Sequence, residues 1–190
     1  MKTTLSVIAV AVLVGAGSSV AHPAQPAAPR PGTAAPQSSF NPIATVKDVM
    51  DYFVIPSSAE LFGAVGSVQG PNGSEDKAPR NDEEWDAVRR NAFLLAEGAN
   101  LLMVPGRHIA GPTDKSSNPG SELEPAQIEA LVAKNRTGWT KAARGLIDAT
   151  LLAIKAIDAR SPEALSDAGG EIDAACESCH LTFWYPPARQ

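Results

Sequence analysis

The hydrophobic positions of the chain recur at helical spacing, three and four residues apart, from Asn41 onward. In the first such segment they are Ile43, Val46, Val49, Met50, Phe53 and Val54. Pro42 suits the first turn of this helix. Pro56 lacks the N–H that the helical ladder needs, so we expect it to kink or break the helix, with Ser57 restarting a second segment.

A second helix follows residues 69–80, whose Gly, Pro and Asn content is typical of a loop. Asn81 or Asp82 is expected to cap this helix, which should stop at Pro105-Gly106. Its apolar stripe consists of Trp85, Val88, Ala92, Leu95, Ala99, Leu102 and Met103.

Two more helices are predicted in the remaining chain. Glu124-Pro125 opens a helical pattern that residues 135–138 interrupt, and the strong third helix follows. Its apolar residues are Trp139, Ala142, Ala143, Leu146, Ile147, Thr150, Leu151, Ile154 and Ile157. Ser161-Pro162 is a capped start for the fourth helix. One face of that helix carries Leu165, Ala168, Ile172, Ala175, Cys176 and Cys179, and the helix should end before Pro186-Pro187.

No segment combines sustained apolar–polar alternation with β-branched residues, and short connections between amphipathic helices favour antiparallel neighbours. The pattern therefore predicts an all-α fold, an antiparallel four-helix bundle, that forms one domain over residues 41–187. Gly169-Gly170 is costly inside the fourth helix and suggests close approach to a neighbouring backbone or a large flat ligand.

The first 21 residues have the features of a signal peptide: Lys2, an apolar run over residues 5–14, and small residues before a cut after Ala21. That run is too short to favour a membrane anchor, and no later run is long enough for stable membrane insertion. We therefore expect export to the periplasm. Residues 22–40, rich in Pro and Ala, are expected to form a disordered tether. The net charge of −5 argues against a nucleic-acid surface.

The most specific motif is Cys176-Glu177-Ser178-Cys179-His180, the C-x-x-C-H signature of c-type haem attachment. Residues i, i+3 and i+4 of a helix share a face. Both thiols can therefore reach the two vinyl groups of one haem while the imidazole of His180 reaches the iron.

Three other interpretations of the two cysteines remain. A disulfide is disfavoured because its geometry is poor within a helix. A zinc site would want about four N or S ligands, from a chain with two Cys and three His. A thioredoxin-like pair needs a βαβ context that the pattern does not predict. We expect a single covalent haem c.

With this motif in the last of four helices, residues 42–185 resemble the class II c-type cytochromes, the group of cytochrome c′ and cytochromes c-556. The resemblance implies haem in the bundle core, His180 as proximal ligand, and a first-helix residue on the distal side. Low-spin members have Met there and transfer electrons. Cytochrome c′ has an apolar residue there, and its five-coordinate iron binds NO or CO. The resemblance also implies a homodimer that pairs through the first helices.

Met50 is the candidate sixth iron ligand, because it lies on the apolar stripe of the first helix; the alternative is ordinary core packing. Met103 is a weaker candidate, and His108, in a Gly- and Pro-flanked loop, is expected to be exposed. If Met50 points elsewhere, Val49 or Phe53 should cover the distal face, which would favour gas binding.

The sequence departs from the cytochrome c′ pattern in two places. Phe183-Trp184 stands where that family usually has an aromatic and a basic residue near the haem, which weakens the analogy with gas binding. Residues 105–134 are longer than the compact family needs and could cover a haem edge or bind a partner. The cations available for the haem propionates are Arg107, Arg89, Arg144 and Lys47.

The leading hypothesis is a periplasmic electron carrier with His180 and Met50 as axial ligands, serving redox partner proteins. Gas binding or sensing is second. A peroxidase-like enzyme is third, since it would want a distal His or Arg and residues 41–66 contain neither. We expect no enzymatic turnover.

Overall fold

The computed structural model of the chain describes residues 40–71 and 73–185. The expected signal peptide with its cut after Ala21, the tether up to residue 39, and Pro186-Pro187 lie outside the described residues. Within the two described ranges, no helix is both long and apolar enough to cross a membrane.

The architecture is a helical bundle with one small hairpin. In chain order the elements are α1 (Val46–Val49), a π-helical turn (Met50–Val54), α2 (Ile55–Ala64), β1 (Gly66–Gly70), β2 (Gly73–Lys77), α3 (Asp82–Leu102), α4 (Pro125–Lys134), α5 (Arg136–Asp158) and α6 (Pro162–Phe183). The elements α1, the π-helical turn and α2 follow one another without a break, and together they form the first helix of the bundle.

Contacts between helix ends confirm the antiparallel arrangement. The start of α3 meets the end of α5, where Arg89 Nε lies 2.8 Å from Asp158 Oδ1. The end of α3 meets the start of α5, where the Trp139 indole N–H donates to the Leu102 carbonyl at 2.8 Å. Trp139 also packs edge to face on Phe183 at the end of α6, with ring centroids 5.3 Å apart.

The predicted apolar stripes meet in one core. Its largest fully buried apolar side chains are Leu95, Ile128, Leu165, Ile172, Val49 and Val54. The short helix α4 adds Ile128 and Val132 to this core. It therefore belongs to the bundle, although the four long rods are the first helix, α3, α5 and α6.

The first helix begins later than predicted. Thr45 is its N-cap and forms a capping box with Asp48, whose backbone N–H donates to the Thr45 hydroxyl. Pro42 therefore lies before the helix, and Ile43, expected on the apolar stripe, is 93% exposed. The capping box provides acceptors for N–H groups in the first turn, which have no partner within the helix. The helix therefore begins at Val46.

Of the kink or break expected at Pro56, the break is not found, because helical structure runs through this residue. The preceding turn, Met50–Val54, is π-helical, and the backbone N–H of Ile55 bonds to the carbonyl of Met50, five residues back. Pro56 then occupies the first turn of α2, where a missing N–H costs little. The wider turn lets the chain include the proline without ending the helix.

The loop predicted at residues 69–80 is partly a β-hairpin, and the all-α prediction misses it. β1 and β2 pair antiparallel, from Gly66 opposite Lys77 to Gly70 opposite Gly73. Gly73 has φ of +114°, which favours glycine. Most of the hairpin's residues are exposed, so no buried face imposes the apolar alternation by which a strand is predicted.

Most other helix boundaries agree with the sequence. Asn81 caps α3, accepting the Glu84 N–H at 3.0 Å, and Ser161 caps α6. Asn135 separates α4 from α5, so the predicted interruption shrinks to one residue. α3 ends at Leu102, slightly before the predicted stop. A close approach of a neighbouring backbone at Gly169-Gly170 is not found, because a Cβ at Gly169 would meet only the Phe62 ring at 3.7 Å and one at Gly170 would meet nothing within 4 Å.

Gly98 on α3 allows the first helix to approach closely. A Cβ there would lie 3.1 Å from Val54 Cγ2 and 3.2 Å from Phe53 Cβ. We expect Gly98→Val to lower the free energy of unfolding by about 1–3 kcal/mol through overpacking, measured by urea denaturation. The control is Gly145→Val on α5, where a Cβ meets nothing within 4 Å. An equal loss in both variants would contradict the close approach.

Candidate functional site

A narrow apolar cleft, which we call the inner cleft, opens at the end of the bundle where α6 ends. It is lined by Val46, Met50, Val54, Leu102, Ile128, Trp139, Ala142, Ala143, Leu146, Ala175, Cys176, Cys179, His180, Phe183 and Trp184. All four long rods and α4 therefore contribute to it. The thiols, the imidazole and the Met50 thioether are the only side chains in this set that offer a lone pair to a soft or borderline metal.

The residues of the motif lie on one face of α6, as predicted. Cys176, Cys179 and His180 are half-buried, and all three line the inner cleft. The two thiols are free rather than joined in a disulfide. Among the described residues, no group of three or more His, Cys, Asp or Glu side chains is placed to hold a metal ion.

Burial keeps both thiols neutral. It raises the pKa of the Cys179 thiol to about 11, with a smaller contribution from Cys176. Burial also raises the pKa of Cys176, and the carboxylate of Asp173 adds to the effect. At neutral pH the inner cleft therefore holds two S–H groups and no thiolate charge.

The His180 imidazole is also held neutral. Burial lowers its pKa, an effect that Glu177 opposes. A neutral imidazole has a lone pair on one ring nitrogen and can act as a metal ligand. The rings of Trp184 and Tyr185 lie beside it, each with its centroid 6.1 Å from that of His180.

The structure separates the candidates for the sixth ligand. Met50 is half-buried and lines the inner cleft with His180. Met103 packs against the core but is not part of the cleft lining. The His108 side chain is 75% exposed and pairs with Glu129 at 2.8 Å. Of these three, only Met50 shares the cleft with the motif.

Two predicted distal residues lie elsewhere. Val49 is fully buried in the core, and Phe53 lies near Gly98 of α3, where an added Cβ would be 3.2 Å from Phe53 Cβ. Neither is among the residues that line the inner cleft. Val46 and Val54 line it instead, because positions four residues apart from Met50 share its side of the first helix.

Sequence analysis missed the role of α5 in the cleft. Trp139 forms part of the wall, held by its hydrogen bond to the Leu102 carbonyl and by its contact with Phe183. Ala142 and Ala143 follow it along the same wall. These two short side chains leave room beside the thiols. In the sequence, a pair of alanines one turn after an apolar tryptophan on the same stripe could have indicated this wall.

Residues 103–124, which we call the connecting segment, tie the two sides of the cleft together. The backbone N–H of Val46 donates to the His108 carbonyl at 2.8 Å, so the segment caps the helix that bears Met50. The Leu123 N–H donates to the Trp184 carbonyl at 2.9 Å, at the end of α6. Both roles expected for residues 105–134, covering a haem edge or binding a partner, stay predictions.

A second space, the outer pocket, lies against the connecting segment. It is lined by Lys47, Met50, Asp51, Ile55, Ile109, Ala110, Lys115, Ser116, Ser117, Glu122, Leu123, Pro125, Ile128, His180, Trp184 and Tyr185. Met50, Ile128, His180 and Trp184 line both spaces. The inner cleft and the outer pocket therefore meet at the proposed axial positions, and they differ in polarity.

The residues present fit a haem c. The inner cleft offers two thiols, an imidazole and an apolar lining of the kind that a porphyrin contacts. It has about 580 Å³ of space between protein atoms, counting its open mouth. Ala142 and Ala143 of α5 keep the wall beside the thiols free of large side chains.

No family model and no curated protein sequence matches the chain. Its structural neighbours are cytochromes c′. One cytochrome c′ is 18% identical over 75% of this chain and 98% of its own, with a TM-score of 0.45. A ferrous variant of cytochrome c prime from Alcaligenes xylosoxidans with bound NO is 16% identical over 76% of this chain and 98% of its own, with a TM-score of 0.46.

These neighbours belong to the family that the sequence resembles. The likeness is one of fold.

The Trp139 hydrogen bond can be tested by comparing two tryptophans. Trp139→Phe should lower the free energy of unfolding by about 1–3 kcal/mol more than Trp85→Phe, because it leaves the Leu102 carbonyl without its donor. Trp85 is also buried, but its indole makes no hydrogen bond within the described part of the chain. Equal losses in urea denaturation would show that the bond contributes nothing.

Proposed function

We propose that the protein is an exported c-type cytochrome with one haem, which carries single electrons between redox partner proteins and has no turnover of its own. The observation that carries the proposal is the convergence of Cys176, Cys179, His180 and Met50 on the inner cleft. When bound there, haem would supply reversible one-electron chemistry at its iron.

The protein's part in attachment is carried by the two cysteines. Each neutral thiol would add across one vinyl group, its sulfur bonding to one carbon and its hydrogen passing to the other. Their spacing on α6 puts both sulfurs on the face that carries His180. Covalent attachment would then hold the imidazole within reach of the iron.

His180 would serve both candidate functions, and Met50 distinguishes electron transfer from gas binding. His180 on α6 and Met50 on the first helix line the inner cleft from different rods. A nitrogen and a thioether sulfur together keep iron low-spin and leave no open position for substrate. The apolar walls exclude water, which favours electron transfer over reaction with solvent.

A second candidate is binding of NO or CO by five-coordinate haem. Val46 and Val54, which flank Met50 in the inner cleft, favour it, because a Met50 that does not coordinate would leave a wholly apolar distal side. Gas binding therefore depends on the state of Met50 alone. The optical spectrum of the wild-type protein distinguishes the two candidates: low-spin and unaffected by CO, or high-spin and shifted by it.

Covalent attachment predicts a graded response to loss of the cysteines. Cys176→Ser and Cys179→Ser should each leave one thioether bond, and the double variant should lose all haem on denaturation. Mass spectrometry of the denatured protein measures the retained haem. Haem retained by the double variant, or absent from the wild-type protein expressed with a haem-attachment system, would refute the proposed cofactor.

Met50→Ala should convert the low-spin spectrum to a high-spin one that shifts with CO, and should lower the reduction potential, because the thioether stabilises ferrous iron. Met103→Ala is the control, since Met103 is not part of the cleft lining. A Met50→Ala protein that stays low-spin would remove Met50 from the iron.

A further inference from the structure

The outer pocket has no role in the proposed function so far, although it adjoins the inner cleft. It contains about 1180 Å³ of space between protein atoms, counting its open mouth. Unlike the inner cleft, it is lined by charged and hydroxyl side chains from α1, the π-helical turn and the connecting segment. A ligand that extends from one space into the other would have to be apolar at one end and polar at the other.

Two lysines supply the positive charge of the outer pocket. Lys47 Nζ lies 2.6 Å from Asp51 Oδ2, and this hydrogen bond raises the pKa of Lys47 and keeps it charged. Lys115 is exposed and has no ion-pair partner among the described residues. Lys115 is therefore the cation that remains available to an anion.

The carboxylates of the pocket already have donors. Asp51 is neutralised by Lys47. Glu122 Oε2 accepts hydrogen bonds from the Ser116 hydroxyl at 3.1 Å and the Asn118 N–H at 3.2 Å. His180 and Tyr185 are the other titratable groups in the lining. The ion pair with Lys47 thus offsets the charge of Asp51, whereas the donors to Glu122 are neutral and do not offset its charge.

The arginines considered from the sequence are engaged elsewhere. Arg107 donates to the backbone carbonyls of Leu101 and Ala44 and so anchors the connecting segment. Arg89 pairs with Asp158 at the opposite end of the bundle. Arg144 lines a surface groove on α5, outside both the inner cleft and the outer pocket. Of the four cations named there, only Lys47 lies in the outer pocket, and Lys115 was overlooked.

We propose that the outer pocket binds the two propionate carboxylates of the haem, with Lys115 as the principal counter-ion and Lys47 as the second. This inference rests on the proposed function. A haem has an apolar body with two carboxylates on one edge, so its lowest-energy orientation puts that edge in the polar space. The pocket would therefore hold the propionate edge of the haem.

The test is the pH dependence of the reduction potential of the holoprotein. A cation near the haem stabilises the reduced state, which carries one more electron than the oxidised state. Removing that cation in Lys115→Met should therefore lower the reduction potential. A nearby cation also lowers propionate pKa values. The pH range over which the potential falls should therefore move to higher pH in Lys115→Met, and in the same direction in Lys47→Met.

Lys155→Met is the matched control. It makes the same charge change on the last turn of α5, at the end of the bundle away from His180, and its side chain is exposed. We expect a potential and a pH profile like those of the wild type. Profiles of Lys115→Met and Lys47→Met that match the wild type would overturn the propionate assignment. A wild-type protein without haem would overturn the proposed function instead.

Discussion

The structure depends on one face of α6, which is directed toward the core but lies beside an open cleft at its C-terminal end. Cys176, Cys179 and His180 lie on the face that continues the core stripe of Leu165 and Ile172, so packing draws them inward. The neighbouring helices line the space beside them with the short side chains of Ala142 and Ala143 as well as with larger ones such as Trp139. The result is a tight core at one end of the bundle and a cleft at the other, which is how a bundle accommodates a ligand without losing its remaining packing.

The open end needs closure, and the connecting segment provides it through the backbone rather than through apolar contacts alone. Its carbonyls at His108 and Ile109 accept the first N–H groups of the first helix, which would otherwise lack partners. Its other end bonds to Trp184, beside the imidazole. The helix that bears Met50 and the helix that bears His180 are therefore held by one segment, and the distance between the proposed axial ligands depends on it.

The sequence predicted what local rules determine. Asn81 and Ser161 are caps whose side chains bond within their own first turn, and the stripe of α6 repeats at helical spacing. It did not predict the hairpin, whose residues are mostly exposed, or Lys115, which reaches the outer pocket only because the connecting segment folds against residues distant in the chain. The four residues of the candidate site could be predicted from the C-x-x-C-H motif and from the apolar stripe of the first helix. The residues that form its walls could be identified only from the tertiary structure.

The π-helical turn explains how the first helix keeps Met50 in line with its neighbours. In an α-helix, four residues rotate by about 40° more than one full turn. Val46, Met50 and Val54 would therefore point in successively different directions around the helix axis. Bonds to the fifth residue back widen the turn, so four residues no longer exceed a full circle. The excess rotation between Val46 and Met50 is thus compensated by the wider turn between Met50 and Val54. All three side chains therefore line the inner cleft. Pro56, which donates no hydrogen bond, favours this local change of helix type, so a residue outside the cleft lining helps to set the direction of the proposed ligand.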